Sequence, residues 1–226
     1  MKESATSCKI DDNFDDNWRE RLRDYQQTKE YKENFQRLKG EINETLPKEK
    51  PEKKLLFVFM GIPGSGKSTI AQIIKESIHP SVTLRSDWIF FQKLKDQMGN
   101  DYYKAYAYQE GLAKRYLSEG YSVIMDDNNR TVKNRNEVYK WAIANGATPI
   151  LIKIDVDLEI AAGRVTLKGK ETKTKEEILE DLKEPQSQIE KPTKEETKLV
   201  KIIKIDGNKS INEIKIKLTN EIKNII

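Results

Sequence analysis

Short apolar runs recur along the last three quarters of the chain, and they predict β-strands. The first is continuous, which is typical of a strand buried on both faces, while the last alternates with polar residues. The runs are Leu55–Met60, Ser81–Leu84, Tyr121–Met125, Thr148–Asp155 and Leu199–Asp206. Segments with the three- to four-residue period of helices lie between them. This order predicts an α/β fold, a five-stranded parallel sheet with helices on both faces.

The N-terminal part of the chain has a helical pattern instead. From Phe14 to Ile42, apolar residues recur every three or four positions, with one gap at Thr28. A charged, proline-bearing stretch follows and indicates a linker. We expect an N-terminal helical extension with its linker at residues 1–54 and an α/β domain at residues 55–226. We favour a helix that packs across the domain; the alternative is a surface for a partner or for self-association.

The first strand leads directly into a phosphate-binding motif. Residues 61–68 read GIPGSGKS, a full G-x-x-x-x-G-K-[ST] pattern. Its glycines let successive backbone N–H groups face a phosphate, and the positive end of the following helix strengthens the attraction. The motif predicts a nucleoside triphosphate, for which we choose ATP, with Lys67 at its β- and γ-phosphates and Ser68 on Mg²⁺. The residues expected to bind it are Gly61, Pro63, Gly64, Ser65, Gly66, Lys67, Ser68 and Thr69.

Acidic residues follow two of the other predicted strands. Asp87 comes just after the second strand, and Asp126 closes the third. Ligands of open parallel sheets bind beyond the carboxyl ends of the strands, so Asp87 lies where a catalytic group is expected. An apolar strand that ends in an acid is typical of a carboxylate that holds Mg²⁺ or orients water, which points to Asp126.

Four tyrosines lie close together at the start of a predicted helix. They are Tyr102, Tyr103, Tyr106 and Tyr108. Such rings stack on nucleobases in some proteins and pack in the core in others, and we favour packing here.

Composition narrows the setting of the protein. The 41 Lys and Arg residues exceed the 37 Asp and Glu residues by four, a balance that permits a polyanionic partner without requiring one. Cys8 is the single cysteine and cannot form an internal disulfide, which fits a reducing cytosol. The sequence contains no long apolar segment, and its N-terminus lacks the apolar core of a signal sequence. We expect a cytoplasmic protein without membrane contact.

Taken in order, the motifs resemble the P-loop kinases related to 5′-polynucleotide kinase and the zeta toxins, a group of AAA-type ATP-binding proteins. The stretches that carry the resemblance read GIPGSGKST, LRSDW and GYSVIMDDNNRTVKNR, and the likeness extends over residues 55–226. It implies a P-loop kinase fold, and the lysine-rich segment Lys168–Lys175 is suited to its mobile lid. Two positions depart from the group: Phe90 stands where an arginine is common, and the lid carries lysines instead of arginines.

The resemblance also implies roles for particular residues. Asp87 corresponds to the catalytic aspartate, Asp126 and Asn129 to an apolar–Asp–x–x–Asn motif, and Arg164 to the arginine on the helix that enters the lid. Phosphoryl transfer needs alignment and charge neutralisation. Asp87 would accept a proton from the attacking hydroxyl, and Lys67 and Arg164 would neutralise the transferred group.

The resemblance favours one activity and leaves two alternatives. The favoured activity is ATP-dependent transfer of the γ-phosphate to the 5′-hydroxyl of a polynucleotide, RNA or DNA. The expected substrate-binding residues are Arg85, Asn129, Arg130 and Arg135. The first alternative is a kinase of the zeta-toxin type that acts on a sugar nucleotide or another small molecule. The second is an ATP-binding adaptor of RNA processing with little turnover.

Overall fold

The central element of the fold is a parallel sheet, seen in a computed structural model that describes residues 17–46, 48–94, 98, 101–167 and 173–226. Its strands are β1 (Leu55–Met60), β2 (Ser81–Arg85), β3 (Ser122–Asp126), β4 (Thr148–Asp155) and β5 (Lys201–Asp206). They lie in the order β2-β3-β1-β4-β5, with all five parallel. The predicted fold class, a five-stranded parallel sheet flanked by helices, is confirmed.

Ten α-helices belong to the described part of the chain. They are α1 (Trp18–Gln27), α2 (Lys29–Asn43), α3 (Lys67–Ser77), α4 (Ser86–Trp88), α5 (Tyr103–Ser118), α6 (Val132–Ala144), α7 (Leu158–Leu167), α8 (Lys175–Ser187), α9 (Lys194–Leu199) and α10 (Ile211–Lys223). A π-helical stretch, π1 (Ile89–Leu94), continues α4. None of the described helices combines the length and the apolar character needed to cross a bilayer.

The N-terminal helical pattern forms two helices instead of the predicted one. Thr28 has an extended backbone, with φ −67° and ψ 155°, and its side chain accepts a hydrogen bond from the Tyr31 N–H. Threonine is a favoured N-cap because this bond satisfies a donor that the first helical turn leaves open. The gap in the apolar pattern at Thr28 therefore marks the boundary between α1 and α2. The predicted start, residues 14–16, lies outside the described residues.

The sheet is covered on the face where α3 and α10 pack. Phe57 and Phe59 of β1 are fully buried there with Ile70 and Ile74 of α3 and Leu218 of α10. Burying each large apolar side chain contributes roughly 1.5–3 kcal/mol. Every residue of β1 is buried, as its continuous apolar run predicts. The packing fixes α3 against the sheet directly after the loop that leaves β1.

The chain separates into two compact units. One contains the described parts of Met1–Leu46 and Arg85–Leu112, and the other contains the described parts of Pro47–Leu84 and Ala113–Ile226. The strands lie in the second unit, apart from Arg85 at the end of β2. The predicted division between residues 54 and 55 stays a prediction, as does a role of the N-terminal helices in partner binding.

Within the first unit, aromatic packing joins α1 and α2 to α5. The Tyr31 ring stacks on Tyr108 with 4.7 Å between ring centroids, and the Tyr25 hydroxyl lies 2.8 Å from that of Tyr108. Gly111 makes room for this contact, because a Cβ there would lie 2.0 Å from Tyr31 Oη. Tyr108 and Tyr102 are buried, as the packing interpretation of the tyrosine cluster predicts.

The predicted lid is described only at its end. Residues 168–172 of Lys168–Lys175 lie outside the described residues. Lys173 pairs with Asp181, and Lys175 Nζ lies 2.8 Å from Glu159 Oε2. The hydrogen bond to Glu159 raises the pKa of Lys175. These two lysines are therefore engaged with carboxylates of α7 and α8.

Candidate functional site

The loop between β1 and α3 has the conformation that its glycines predict. Gly64 and Gly66 have φ of 78° and 100°, in the left-handed region that other residues rarely adopt. A Cβ on Gly64 would also lie 2.4 Å from the carbonyl oxygen of Ala161 in α7. Glycine is thus required at position 64 both by the backbone conformation and by the close approach of α7.

Lys67 opens α3 and folds back over the loop. Its Nζ donates to the carbonyl oxygens of Gly61 at 2.8 Å and Ile62 at 3.0 Å. Ser68 and Thr69 follow in the first helical turn and are exposed. The N-terminal amides of a helix attract anions, so an ammonium and a helix N-terminus act together at this loop.

A cavity of about 330 Å³ lies beside the loop. Its walls are formed by the loop, the first turn of α3, Arg164 and the start of α10, and its lining residues are Gly64, Ser65, Gly66, Thr69, Ile70, Arg164, Lys209, Ile211 and Ile214. The Arg164 Nη2 donates to the Gly207 carbonyl at 2.8 Å. An arginine plane with three isoleucines suits a flat, partly apolar group such as a nucleobase. Buried Ser65 Oγ has no hydrogen-bond partner among the described residues, which leaves it available to a ligand.

The end of β3 is tied to the end of β1. The Asn129 backbone N–H and its side-chain amide both donate to the Phe59 carbonyl, at 3.0 and 3.4 Å. Asp126 closes β3 and is buried. Because β1 and β3 are neighbouring parallel strands, Asp126 and the loop after β1 belong to the same edge of the sheet. The sequence-predicted residues Asp126 and Asn129 therefore lie at the phosphate-loop edge.

The donors predicted for Mg²⁺ suit that ion chemically. Ser68 supplies a hydroxyl and Asp126 a carboxylate, both hard oxygen ligands, and Mg²⁺ usually keeps several waters besides one or two protein ligands. No group of three or more His, Cys, Asp or Glu side chains placed to hold a metal exists within the described ranges. Mg²⁺ held by these two residues would neutralise charge on the phosphates of a nucleotide.

Asp87 lies in the first unit, where it is held by its neighbour Arg85. The Arg85 Nε donates to Asp87 Oδ1 at 3.1 Å, and the Arg85 Nη2 donates to Oδ2 at 2.8 Å. The Trp88 N–H donates to Oδ1 at 2.7 Å. Both side chains of the ion pair remain partly exposed, at 41% for Arg85 and 45% for Asp87. The predicted base and one predicted substrate-binding residue thus bind each other.

Arg135, the second predicted substrate-binding arginine, is fully buried. Its Nε and Nη2 donate to the two carboxylate oxygens of Glu196, at 2.7 and 3.0 Å. Its remaining donors bond to the carbonyl oxygens of Asn129, Arg130 and Glu190. This geometry is that of a structural arginine, because a substrate could reach the guanidinium only by displacing the framework around it.

Arg130 is the third predicted substrate-binding arginine, and its guanidinium is also engaged within the protein. The Arg130 Nη1 donates to Gln188 Oε1, and the Glu190 N–H donates to the Arg130 carbonyl at 3.0 Å. The segment after α8 is therefore tied to the loop after β3. Phe90, at the position where an arginine was expected, is buried and packs against Tyr102 with 4.9 Å between ring centroids.

Two residues at this edge were not predicted from the sequence. With its amide oriented so that nitrogen donates, Asn128 bonds to the Gly61 carbonyl at 2.9 Å and accepts from Arg130 Nε at 2.8 Å. Asn128 therefore links the loop after β3 to the first residue of the phosphate loop. Glu196, the partner of Arg135, carries no local signal except the Thr-x-x-Glu capping pattern that begins at Thr193.

The phosphate loop and the end of β3 both lie within the part of the chain that matches a known protein family. The model of the AAA_33 family, described as an AAA domain, matches residues 56–192 of the 226. The chain belongs to the AAA_33 family. No curated protein sequence matches it.

Several solved structures resemble this AAA_33 protein. A putative kinase from Chloroflexus aurantiacus has a TM-score of 0.59 at 16% identity and covers 77% of this chain and 100% of its own. Chaetomium thermophilum Kti12 in complex with ADP-AlF3 has a TM-score of 0.56 at 18% identity and covers 75% and 97%. The Mycobacterium tuberculosis APS kinase CysC, in complex with AMPPNP and APS, has a TM-score of 0.53 at 16% identity and covers 77% and 98%. At such identities the likeness shows the P-loop kinase fold.

The AAA_33 match contains only part of the cavity wall. It includes the phosphate loop and Arg164, but it ends before Gly207, Lys209 and Ile211. Arg164 bonds to Gly207, so the matched and unmatched parts meet at this contact. The C-terminal segment thus completes a cavity that the AAA_33 segment begins.

Proposed function

We propose that this AAA_33 protein is an ATP-dependent kinase that transfers the γ-phosphoryl group of ATP to the hydroxyl of a small acceptor. The observation that carries the proposal is the loop from Gly61 to Ser68, with two left-handed glycines and Lys67 at the start of α3. The adjoining cavity has the size and lining for a nucleobase. The AMPPNP and ADP-AlF3 in the APS kinase and Kti12 structures support an adenine nucleotide.

The residues of the chain divide the work of transfer. Lys67 exchanges its bonds to Gly61 and Ile62 for the β- and γ-phosphates. Ser68 and Asp126 would hold Mg²⁺ with the nucleotide, and the ion would supply positive charge against the phosphates. Arg164 faces the cavity and contacts the nucleoside side of ATP, a more peripheral role than the charge neutralisation that the resemblance implies. Asp87 takes the proton of the attacking hydroxyl.

A small acceptor is favoured over a polynucleotide because the four arginines near the strand ends, Arg85, Arg130, Arg135 and Arg164, are engaged within the protein. Arg135 is buried against Glu196, and Arg130 donates to Gln188. Arg164 lines the cavity, and Arg85 is paired with Asp87. A chain of phosphates needs several accessible cations along its path. The single exposed pair of Arg85 with Asp87 does not form such a path, so the 5′-hydroxyl polynucleotide that the sequence favours receives little support from these arginines.

The test measures transfer from γ-labelled ATP to a panel of acceptors. The panel holds simple sugars, sugar phosphates, nucleosides, UDP-N-acetylglucosamine and 5′-hydroxyl RNA and DNA oligonucleotides. Labelled product is expected from a small acceptor. Lys67→Ala is expected to lower the rate by about a hundredfold or more, because it removes a charge next to the transferred group. Asp87→Asn is expected to keep ATP binding and lose transfer.

Lys75→Ala is the matched control, since Lys75 is an exposed lysine of the same helix α3. It is expected to leave the rate unchanged. Preferred labelling of the oligonucleotides, with a steep fall in added salt, would support the polynucleotide activity instead. ATP binding without labelled product from any acceptor would contradict the kinase proposal and favour the adaptor.

A further inference from the structure

The carboxylate of Asp87 is occupied on both oxygens in this structure. Arg85 reaches it with two parallel donors, Nε to Oδ1 at 3.1 Å and Nη2 to Oδ2 at 2.8 Å, and the Trp88 N–H adds a third bond to Oδ1. A general base must offer a lone pair to the proton that it removes, within hydrogen-bond reach. A carboxylate offers about four lone pairs, so these three donors leave one, on Oδ2 beside the guanidinium. Arg85 therefore restricts how Asp87 can act as a base as long as it remains in place.

The Arg85–Asp87 pair is of a kind that readily exchanges partners. The two side chains are 41% and 45% exposed, so water competes for both. Exposed ion pairs contribute little net stability, which means that another anion can replace the carboxylate at small cost. The guanidinium fork fits phosphate and carboxylate groups equally well. An acceptor with such a group could bind Arg85 and release Asp87 in the same event.

We propose that Arg85 selects acceptors that carry a phosphate or carboxylate group, by exchanging Asp87 for that group when the acceptor binds. This inference rests on the kinase function proposed above. Once released, Asp87 accepts the proton of the acceptor hydroxyl, and the acceptor oxygen bonds to the γ-phosphorus. The bond from that phosphorus to the bridging oxygen breaks and leaves its electron pair on ADP. A neutral alcohol finds Asp87 still paired.

The same exchange predicts a response to free anions without any acceptor. Water is then the neutral nucleophile, and inorganic phosphate competes with Asp87 for Arg85. The assay measures ADP formation by the full chain with increasing phosphate, against chloride at equal ionic strength. The wild-type rate is expected to rise roughly two- to fivefold with phosphate, the change in occupancy that a surface ion pair allows.

The variant Arg85→Gln distinguishes the proposed exchange of partners from a purely structural role of Arg85. Loss of the guanidinium frees Asp87 permanently, so the rate without phosphate is expected to rise and the response to phosphate to vanish. Transfer to glucose, gluconate and glucose 6-phosphate is then compared, a neutral, a carboxylate-bearing and a phosphate-bearing alcohol of similar size. Wild type is expected to prefer an anionic member, and Arg85→Gln to lower that preference. The two anionic members distinguish a carboxylate from a phosphate acceptor.

The matched control is Arg115→Gln, which removes another exposed arginine–carboxylate pair, Arg115 Nε to Glu119 Oε1 at 2.6 Å. It is expected to behave as wild type. Equal loss of all rates in Arg85→Gln, or a phosphate response that survives in it, would overturn the inference while leaving the kinase function intact. Absence of ATP turnover in wild type under every condition would instead overturn the proposed function, and the inference with it.

Discussion

Two arginine–carboxylate pairs of this protein have the same chemistry and opposite surroundings. In each, Nε and Nη2 of the arginine donate to the two oxygens of one carboxylate, Arg85 to Asp87 and Arg135 to Glu196. The first joins residues two positions apart and is nearly half exposed, while the second spans 61 positions and is fully buried. Surroundings, and not the pairing itself, decide whether such a pair acts as a replaceable contact or as a permanent one.

The physical reason is the cost of removing charge from water. An exposed pair gains about 0–1 kcal/mol, because solvent screens it and both side chains lose freedom. A buried pair has little net value over an apolar replacement, yet loss of one partner leaves a charge without solvent and costs about 3–5 kcal/mol. Arg135–Glu196 therefore fixes the loop at Asn129 and Arg130, whereas Arg85–Asp87 can open.

The largest expected effect comes from breaking the buried pair. Arg135→Ala removes the cation that faces the buried Glu196 carboxylate, together with the guanidinium donors to the carbonyl oxygens of Asn129, Arg130 and Glu190. We expect the free energy of unfolding to fall by about 3–5 kcal/mol, measured by urea denaturation. Arg115→Ala, at an exposed arginine, is the control and is expected to cost little. A loss below about 1 kcal/mol for Arg135→Ala would contradict the structural role assigned to it.

Alkaline pH is expected to lower the stability of the protein through Tyr139, which lies beside the buried pair of Arg135 and Glu196. Burial raises the pKa of Tyr139, and the negative charge of Glu196 raises it further. The folded protein keeps the phenol protonated while the unfolded chain loses the proton near pH 10, about the ordinary tyrosine pKa. The contribution to stability is therefore complete below pH 10 and falls above it by up to about 1.4 kcal/mol per pH unit.

Denaturation at pH 9 and pH 11 measures this effect. Between pH 9 and pH 11, Tyr139→Phe is expected to lose less free energy of unfolding than wild type. The difference is the contribution from ionisation of Tyr139. Other buried tyrosines, such as Tyr31 and Tyr116, have raised pKa values for the same reason and remain in both proteins. Equal losses in the two proteins would show that Tyr139 ionises without cost beside Glu196.

A smaller effect is expected from the helix cap that holds Glu196. The Thr193 hydroxyl accepts the Glu196 N–H, and Glu196 Oε2 accepts the Thr193 N–H, both at 3.1 Å. We expect Thr193→Ala to cost about 1 kcal/mol. Ser210→Ala removes the equivalent cap of α10 and is the control. In an Arg135→Ala background, the cost of Thr193→Ala should change while that of Ser210→Ala should not, because contacting residues are non-additive.

The smallest effect on stability is expected at the exposed pair. Arg85→Gln should change the free energy of unfolding by no more than about 0.5 kcal/mol, since both partners reach water. Thermal and urea unfolding of the variant beside wild type would measure it. A loss comparable to that of Arg135→Ala would mean that Arg85 is part of the framework and is not free to exchange partners.

The sheet and the phosphate loop could be predicted because their signals are local. β1 and β4 have the predicted bounds, since β1 is a continuous apolar run and the apolar run of β4 is interrupted only by Lys153 between its polar ends. The loop after β1 is specified by glycines whose conformation few residues share. The break at Thr28 was visible as a gap in the apolar pattern, although its meaning as an N-cap became clear only from the bond to Tyr31.

The partners of Arg130 and Arg135 could not be predicted, because they depend on contacts between residues far apart in the sequence. Arg135 and Arg130 look alike in the sequence, and only the return of the chain at residues 188–196 buries the first. The helix α9, which places Glu196, was not predicted because its six residues lack a clear apolar period. Pairings across 61 positions depend on the tertiary fold, which a local pattern does not contain.

The close contact between Gly111 of α5 and Tyr31 restricts which residues relatives of this protein can have at the two positions. Because a Cβ at Gly111 would lie 2.0 Å from Tyr31 Oη, Gly111 cannot be replaced by a larger residue while Tyr31 and α2 keep their places. Relatives that keep a tyrosine at the position of Tyr31 should therefore keep this glycine, and relatives without the N-terminal helices are released from the constraint. Tyrosine at position 31 together with glycine at position 111 therefore identifies relatives that share this arrangement of helices.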